Sequence, residues 1–186
     1  MALIMRVITG KARGMKLMAP EGMDTRPTSD RVKEALFSII QFETEGARVL
    51  DLYAGTGQLG IEAVSRGASF CVFIDSSRTS IDSIKSNLVK TGFLPQARVA
   101  VMDALAFLRS TQEVFDIILL DPPYAVKGLN DVLALAAKRL KPSGVLVCET
   151  AKKTETPDIL EGFLHKKAYP YGIASLSVYR PLPVEE

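Results

Sequence analysis

The sequence predicts an α/β fold: a doubly wound, mostly parallel sheet of seven strands, with an antiparallel hairpin at its C-terminal edge and a small β-hairpin and helix in front. Three observations predict it. From residue 47 onward five short apolar runs alternate with amphipathic stretches at helical spacing, and near-continuous apolar strands separated by helices indicate a parallel sheet covered on both faces. Near the C-terminus, "LHKKAYPYGIASLSVYR" holds two strand candidates with only "PYG" between them, too short for a crossover, so they pair antiparallel. The 186 residues, 47% of them hydrophobic, supply one full core and leave little room for a second unrelated domain.

The elements follow in order. Residues 4–19 read as two β-prone pieces, "IMRVIT" and "MKLMA", joined by "GKARG", whose glycines suit a hairpin-like turn. After the loop "PEGMDTRPTSD", Ser29 or Asp30 caps a helix in which Val32, Ala35, Leu36, Ile39 and Ile40 form one apolar stripe. Strands are expected at 47–52, 69–75, 97–103, 115–121 and 143–150, with helices near 58–66, 78–91, 104–110 and 128–140. No repeat, low-complexity tract or linker interrupts them. A single domain over 1–186 is therefore expected, with residues 1–27 as an N-terminal extension and 28–186 as the core.

Bulk properties narrow the setting. No window approaches eighteen consecutive apolar residues, and the start "MALIMRVITGKARG" lacks the apolar stretch and cleavage site of a signal peptide. A soluble, cytoplasmic protein is expected. Cys71 and Cys148 lie inside apolar runs with no second Cys or His at metal-ligand spacing, so both read as small core residues in a reducing compartment, and no metal is expected. The net charge of +2 announces no nucleic-acid binder by itself. Its distribution does more: residues 1–33 hold seven basic residues, Arg6, Lys11, Arg13, Lys16, Arg26, Arg31 and Lys33, against three acidic ones. That is a basic arm or an ordinary solvated surface.

A doubly wound sheet binds ligands beyond the carboxyl ends of its strands. At the first such end, "VLDLYAGTGQLGIEA" places Gly55, Gly57 and Gly60 as G-x-G-x-x-G between a strand and a helix, a turn that lets a ligand approach backbone N–H groups. Asp75, at the second end, stands eighteen residues after Gly57, where an acid accepts hydrogen bonds from ribose hydroxyls in any adenosine ligand. Asp51, four residues before Gly55, discriminates: its carboxylate opposes a pyrophosphate but attracts a cationic ligand such as S-adenosylmethionine. Asp103, at the third end, suits an adenine amino group, and equally a helix N-cap. Tyr53 either lines the cofactor pocket or packs under the helix.

The fourth end is "FDIILLDPPY". Pro122 and Pro123 stop ladder pairing and stiffen the backbone, which points Asp121 and Tyr124 into the crevice. A base amino group is a poor nucleophile while its lone pair is delocalised into the ring. The Asp121 carboxylate and the Pro122 carbonyl can each accept one N–H and leave the lone pair aimed at a methyl group, while Tyr124 stacks on the base.

These residues resemble a known family. "LDLYAGTGQLGIEAVSRGA" with "DPPY" is similar to class I S-adenosylmethionine-dependent methyltransferases that act on exocyclic amines, which have a Rossmann-like fold. "MRVITGKARGMKL" followed by "TRPTSDRVKEALFSII" further resembles the bacterial small-subunit (16S) ribosomal RNA guanine-N2 methyltransferases, the RsmD type. The resemblance runs from Met5 to about Arg180. It implies S-adenosylmethionine held around Asp51, Tyr53, Gly55, Gly57, Asp75, Ser76, Asp103 and Ala104, with Asp121, Pro122, Pro123 and Tyr124 holding the guanine. It also implies an RNA-binding N-terminal hairpin (Arg6, Lys11, Arg13, Lys16, Arg26) and ribosomal RNA within an assembling small subunit as partner; a monomer is expected. Two positions depart from the family pattern: Gln58 stands where a small residue is usual, and Ser77 where a second acid or polar residue follows Asp75.

Three rivals remain. An adenine-N6 methyltransferase would use the same D-P-P-Y, although the length leaves no large target-recognition domain for DNA. An NAD-dependent oxidoreductase lacks a hydride-transfer constellation and is opposed by Asp51. A binding module with degenerate catalysis is opposed by the intact "DPPY". His165, the only histidine, reads as a surface strand residue, and Lys166 and Lys167 as guards against edge aggregation.

Overall fold

The computed structural model describes residues 5–19, 29–162 and 164–182. Helix α1 (Asp30–Ile39) is followed by β1 (Arg48–Leu52), α2 (Gln58–Ser65), β2 (Phe70–Asp75), α3 (Arg78–Thr91) and β3 (Ala97–Val101). Then come α4 (Ala104–Ser110), β4 (Phe115–Leu120), α5 (Leu129–Ala137), β5 (Leu140–Ala151), β6 (Ile159–Leu160), β7 (Leu164–Tyr171) and β8 (Ala174–Pro181). The strands form one sheet in the order β3-β2-β1-β4-β5-β8-β7-β6. β1 to β5 are parallel, and β8, β7 and β6 are antiparallel.

Alternation along each strand divides the core in two. Val49, Phe73, Ile117, Leu119 and Val147 face α1, α2, α3 and the N-terminal segment. Leu50, Val72, Ile118, Leu120, Leu146 and Cys148 face α4 and α5. Both cysteines are buried and free. Ser29 caps α1, its hydroxyl accepting from Val32 N–H, which settles the choice between Ser29 and Asp30.

Four details differ from the expectation. The sheet has eight strands, because the two-residue β6 pairs with Leu164 and His165. The helix expected to residue 140 ends at Ala137, and β5 starts at Leu140: Leu140 pairs with Phe115 before a register shift, so Lys141 and Pro142, which fell between the expected helix and the expected strand, lie inside the strand. The C-terminal turn is Gly172 and Ile173, not "PYG": Tyr171 pairs with Ala174, and Gly172 takes the left-handed φ of 61° that a two-residue turn needs. Pro170 is tolerated in β7 because β6 covers only the far end of that strand. The N-terminal hairpin is a single bridge, Arg6 to Lys16, extended by Val7 N–H to Met15 O and Leu17 N–H to Met5 O.

Candidate active site

Strand order reverses between β1 and β4, which are neighbours. This switch point opens a crevice at their carboxyl ends, and the chain places the glycine turn after β1 and Asp121 after β4. The two ends are tied, since Asp121 N–H donates to Leu52 O at 3.5 Å.

The glycine turn is wound by alternate left-handed residues: Tyr53 at φ 58°, Gly55 at 57° and Gly57 at 79°. Tyr53 carries steric strain there that glycine does not. A Cβ at Gly55 would meet nothing within 4 Å, so this glycine faces open space and serves backbone conformation and access. Gly57 is the N-cap of α2. Gly60 has another role: a Cβ there would lie 2.3 Å from Phe73 Cε1 and 2.7 Å from Cys71 Sγ, so it lets α2 lie against β2.

Two acids brace the turn. Asp51 is buried, and its Oδ2 accepts from Gly60 N–H at 2.8 Å. Burial pushes its pKa up to about 8, against the Gly60 hydrogen bond, and the nearby Asp121 and Asp75 add to the rise. Asp75 accepts from Gly55 N–H through Oδ2 and from Ser77 N–H through Oδ1, both at 2.8 Å. Ser76 beside it is exposed. Asp103 caps α4, accepting from Ala106 N–H at 3.0 Å, and Ala104 begins that helix, buried; the cap reading of Asp103 therefore holds, with the carboxylate still exposed. The Tyr53 ring is half-buried against the α4 and α5 side of the core. Its hydroxyl pKa is raised first by burial and then by Asp103 and Cys148.

The chemistry of this end fits S-adenosylmethionine. Asp51 Oδ1 and Gln58 Oε1 are buried without a hydrogen-bond partner among the described residues. Such atoms are costly unless a donor reaches them, and the cofactor carries an ammonium group and a sulfonium. Gly55 leaves the approach open, and Asp75 and Asp103 provide acceptors on the next two strands.

After β4, Asp121 is half-buried, Pro122 buried, and Pro123 and Tyr124 exposed. Leu119 and Val147 share one face of the sheet, so Asp121 and Glu149, two residues on, share it too. Leu120 pairs with Cys148, which brings Glu149 level with Asp121 on the next strand. The sequence reading missed Glu149; the signal was an acid ending the run "VLVCE". It also missed Asn87, which is buried and donates to both Thr56 O and Met18 O while accepting from Met18 N–H.

Of the proposed RNA contacts, Arg6, Lys11, Arg13 and Lys16 are exposed on the N-terminal hairpin, Arg6 paired with Asp30 at 3.0 Å. Arg26 lies outside the described residues. Lys33, counted in the basic arm, is fully buried and belongs to the interior. A cavity of about 560 Å³ lined by Thr9, Lys11, Gln41, Glu45 and Arg66 lies at the C-terminal end of α2, one helix length from the glycine turn, and is no part of this site.

Fold and strand-end residues together define a class I methyltransferase. The chain belongs to the family described as Conserved hypothetical protein 95, whose model matches residues 5–180, and the resemblance to the small-subunit ribosomal RNA methyltransferases is borne out. It is 37% identical over 181 residues to the Bacillus subtilis protein YlbH, covering 95% of this chain and 98% of that one. It is 34% identical over 182 residues to ribosomal RNA small subunit methyltransferase D of Haemophilus influenzae, covering 94% and 93%. Among solved structures, Escherichia coli yhhF superposes with a TM-score of 0.85 at 29% identity, covering 95% of this chain and 97% of that one. No helix among the described residues is long and apolar enough to cross a membrane.

Proposed function

We propose that the protein methylates the exocyclic N2 amine of a guanine in small-subunit ribosomal RNA, within an assembling subunit. The observation that carries this reading is the meeting of two strand ends at the switch point: the glycine turn after β1 and Asp121-Pro122-Pro123-Tyr124 after β4, on neighbouring strands. The Haemophilus influenzae relative, named for the small subunit, supports the substrate class. The N-terminal hairpin and "RPT...RVKEALF" support guanine through the resemblance.

S-adenosylmethionine supplies, when bound, a methyl group already activated on a sulfonium. The chain's own residues do the rest. Asp51, Tyr53, Gly55 and Gly57 line the donor end, Asp75 and Ser76 receive ribose hydroxyls, and Asp103 and Ala104 meet the adenine. Asp121 and the Pro122 carbonyl each accept an N–H from the guanine amine, freeing its lone pair; Pro123 stiffens the turn. Tyr124, 52% exposed, stacks on the base, a contact worth about 1–3 kcal/mol. In-line positioning carries much of the acceleration. Arg6, Lys11, Arg13, Lys16 and Arg26 take phosphates, making residues 1–27 an RNA-binding extension of one catalytic domain.

Mass-spectrometric mapping of modified nucleosides in small-subunit ribosomal RNA, from cells with and without the protein, tests the reading. Loss of one N2-methylguanosine is expected. Loss of an N6-methyladenosine instead moves the function to adenine, and an unchanged nucleoside map overturns the proposal.

A further inference from the structure

The N-terminal hairpin is joined to α2 by a buried ionic cluster that neither cofactor binding nor catalysis uses. Glu62, on α2, is fully buried. Its oxygens accept from Ile8 N–H at 2.7 Å, Thr9 N–H at 3.0 Å and Arg66 Nε at 2.7 Å. Lys33, on α1, is fully buried as well; its Nζ donates to Arg6 O at 2.6 Å and stands 4.0 Å from Glu62 Oε2. The backbone groups so held belong to Arg6, Ile8 and Thr9, the strand that carries Arg6 and leads to Lys11 and Arg13.

This cluster is a costly way to attach a hairpin. Burial lowers the pKa of Lys33, with Glu62 and Asp30 pulling the other way, and an apolar pair of similar volume often gives equal or greater stability. An ionic pair with directed hydrogen bonds differs from an apolar contact in fixing orientation. Glu62 lies five residues into α2 from Gly57, about 7.5 Å along the helix axis. At the other end of the hairpin, Asn87 holds Met18 and Thr56 of the glycine turn together.

We propose that Lys33 and Glu62 form a positioning latch that sets the angle of the basic hairpin on α2, so that its exposed cations meet the phosphates of the RNA in one fixed register. The proposal rests on the RNA methyltransferase reading above. It also gives "RVKEALF" a physical role, in which the lysine anchors the hairpin from within and leaves phosphate contacts to the exposed cations.

The test uses the full-length Lys33→Met variant, with Glu62→Gln as a second variant should Lys33→Met fail to fold. Steady-state methylation of small-subunit ribosomal RNA, S-adenosylmethionine calorimetry and hydrogen exchange at the Ile8 and Thr9 amides are read together. KM for RNA is expected to rise about tenfold, the loss of one charge-assisted contact, with exchange at both amides faster, while kcat and the Kd for S-adenosylmethionine stay within about twofold of wild type. Faster exchange with an unchanged KM overturns the latch, since a loosened hairpin then does not matter. A parallel loss of KM, kcat and cofactor affinity also overturns it, because the pair then merely stabilises α2. Wild-type protein that binds the cofactor but no ribosomal RNA defeats the RNA reading itself, a result distinct from either of these.

Discussion

The Asp75 carboxylate accepts a hydrogen bond from the Gly55 amide at 2.8 Å, so the end of β2 holds the glycine turn that follows β1. Its other oxygen accepts from Ser77 N–H, which orients the carboxylate at the mouth of the crevice. One side chain thereby shapes the turn, and under the proposed function the same side chain receives the ribose hydroxyls.

Asp75→Ala should therefore weaken S-adenosylmethionine binding by about tenfold to a hundredfold, the range for losing hydrogen bonds to a charged acceptor. Asp75→Asn should fall between, because its amide oxygen satisfies one N–H while its NH₂ faces the other. Isothermal titration of the three proteins checks the order. Wild-type affinity in Asp75→Ala would separate this residue from the cofactor.

Gly60 predicts a packing effect. In Gly60→Ala the new methyl meets Phe73 Cε1 and Cys71 Sγ well inside van der Waals contact, and Phe73 is fully buried. Overpacking of this kind costs about 1–3 kcal/mol. Urea denaturation should show that loss, and Phe73→Leu in the same chain should restore part of it. A Gly60→Ala protein as stable as wild type would mean that α2 slides freely on β2.

Much of this arrangement was legible in the sequence, for physical reasons that differ by element. Strands such as Phe115–Leu120 announce themselves because both faces are buried, so nearly every position is apolar, and the acids that end them stand out against the run. The start of β5 was hidden, since Lys141 and Pro142 interrupt the apolar pattern and lie within the register shift, between Leu140 opposite Phe115 and Val145 opposite Ile117. Asp51 was read for its charge toward a ligand; its bond to Gly60 depends on how α2 folds back over β1, which spacing alone does not give. Lys33 and Glu62 were illegible as partners because they stand 29 residues apart on different helices, and a count of charges records neither burial nor pairing.

Asp121 predicts a separation of binding from chemistry. Under the proposed function it meets the guanine amine, whereas Asp51 and Asp75 bond to Gly60 and Gly55 of the glycine turn, where the cofactor is proposed to sit. Asp121→Ala should nearly abolish methyl transfer, with S-adenosylmethionine affinity within about threefold of wild type, since general-base and positioning groups act mainly on the barrier. Single-turnover assays at saturating RNA measure the first quantity and calorimetry the second. Equal turnover in the two proteins would remove Asp121 from the mechanism.

Asp51 gives the protein a pH dependence of unusual sign for an aspartate. Its folded-state pKa is pushed up to about 8 from 3.8, so the folded chain holds this proton more tightly than the unfolded one. The contribution to stability is fully present below about pH 4 and is lost as pH rises through about 8, where folding must bury a charge. Asp51→Asn keeps an oxygen for Gly60 N–H and removes the titration. Between pH 5 and pH 9, ligand-free wild type should lose more stability than Asp51→Asn, as read by urea midpoints at each pH. S-adenosylmethionine, bringing positive charge toward Asp51, should shrink that difference by favouring the carboxylate. Parallel stability profiles for the two ligand-free proteins would show that Asp51 stays ionised in its buried site.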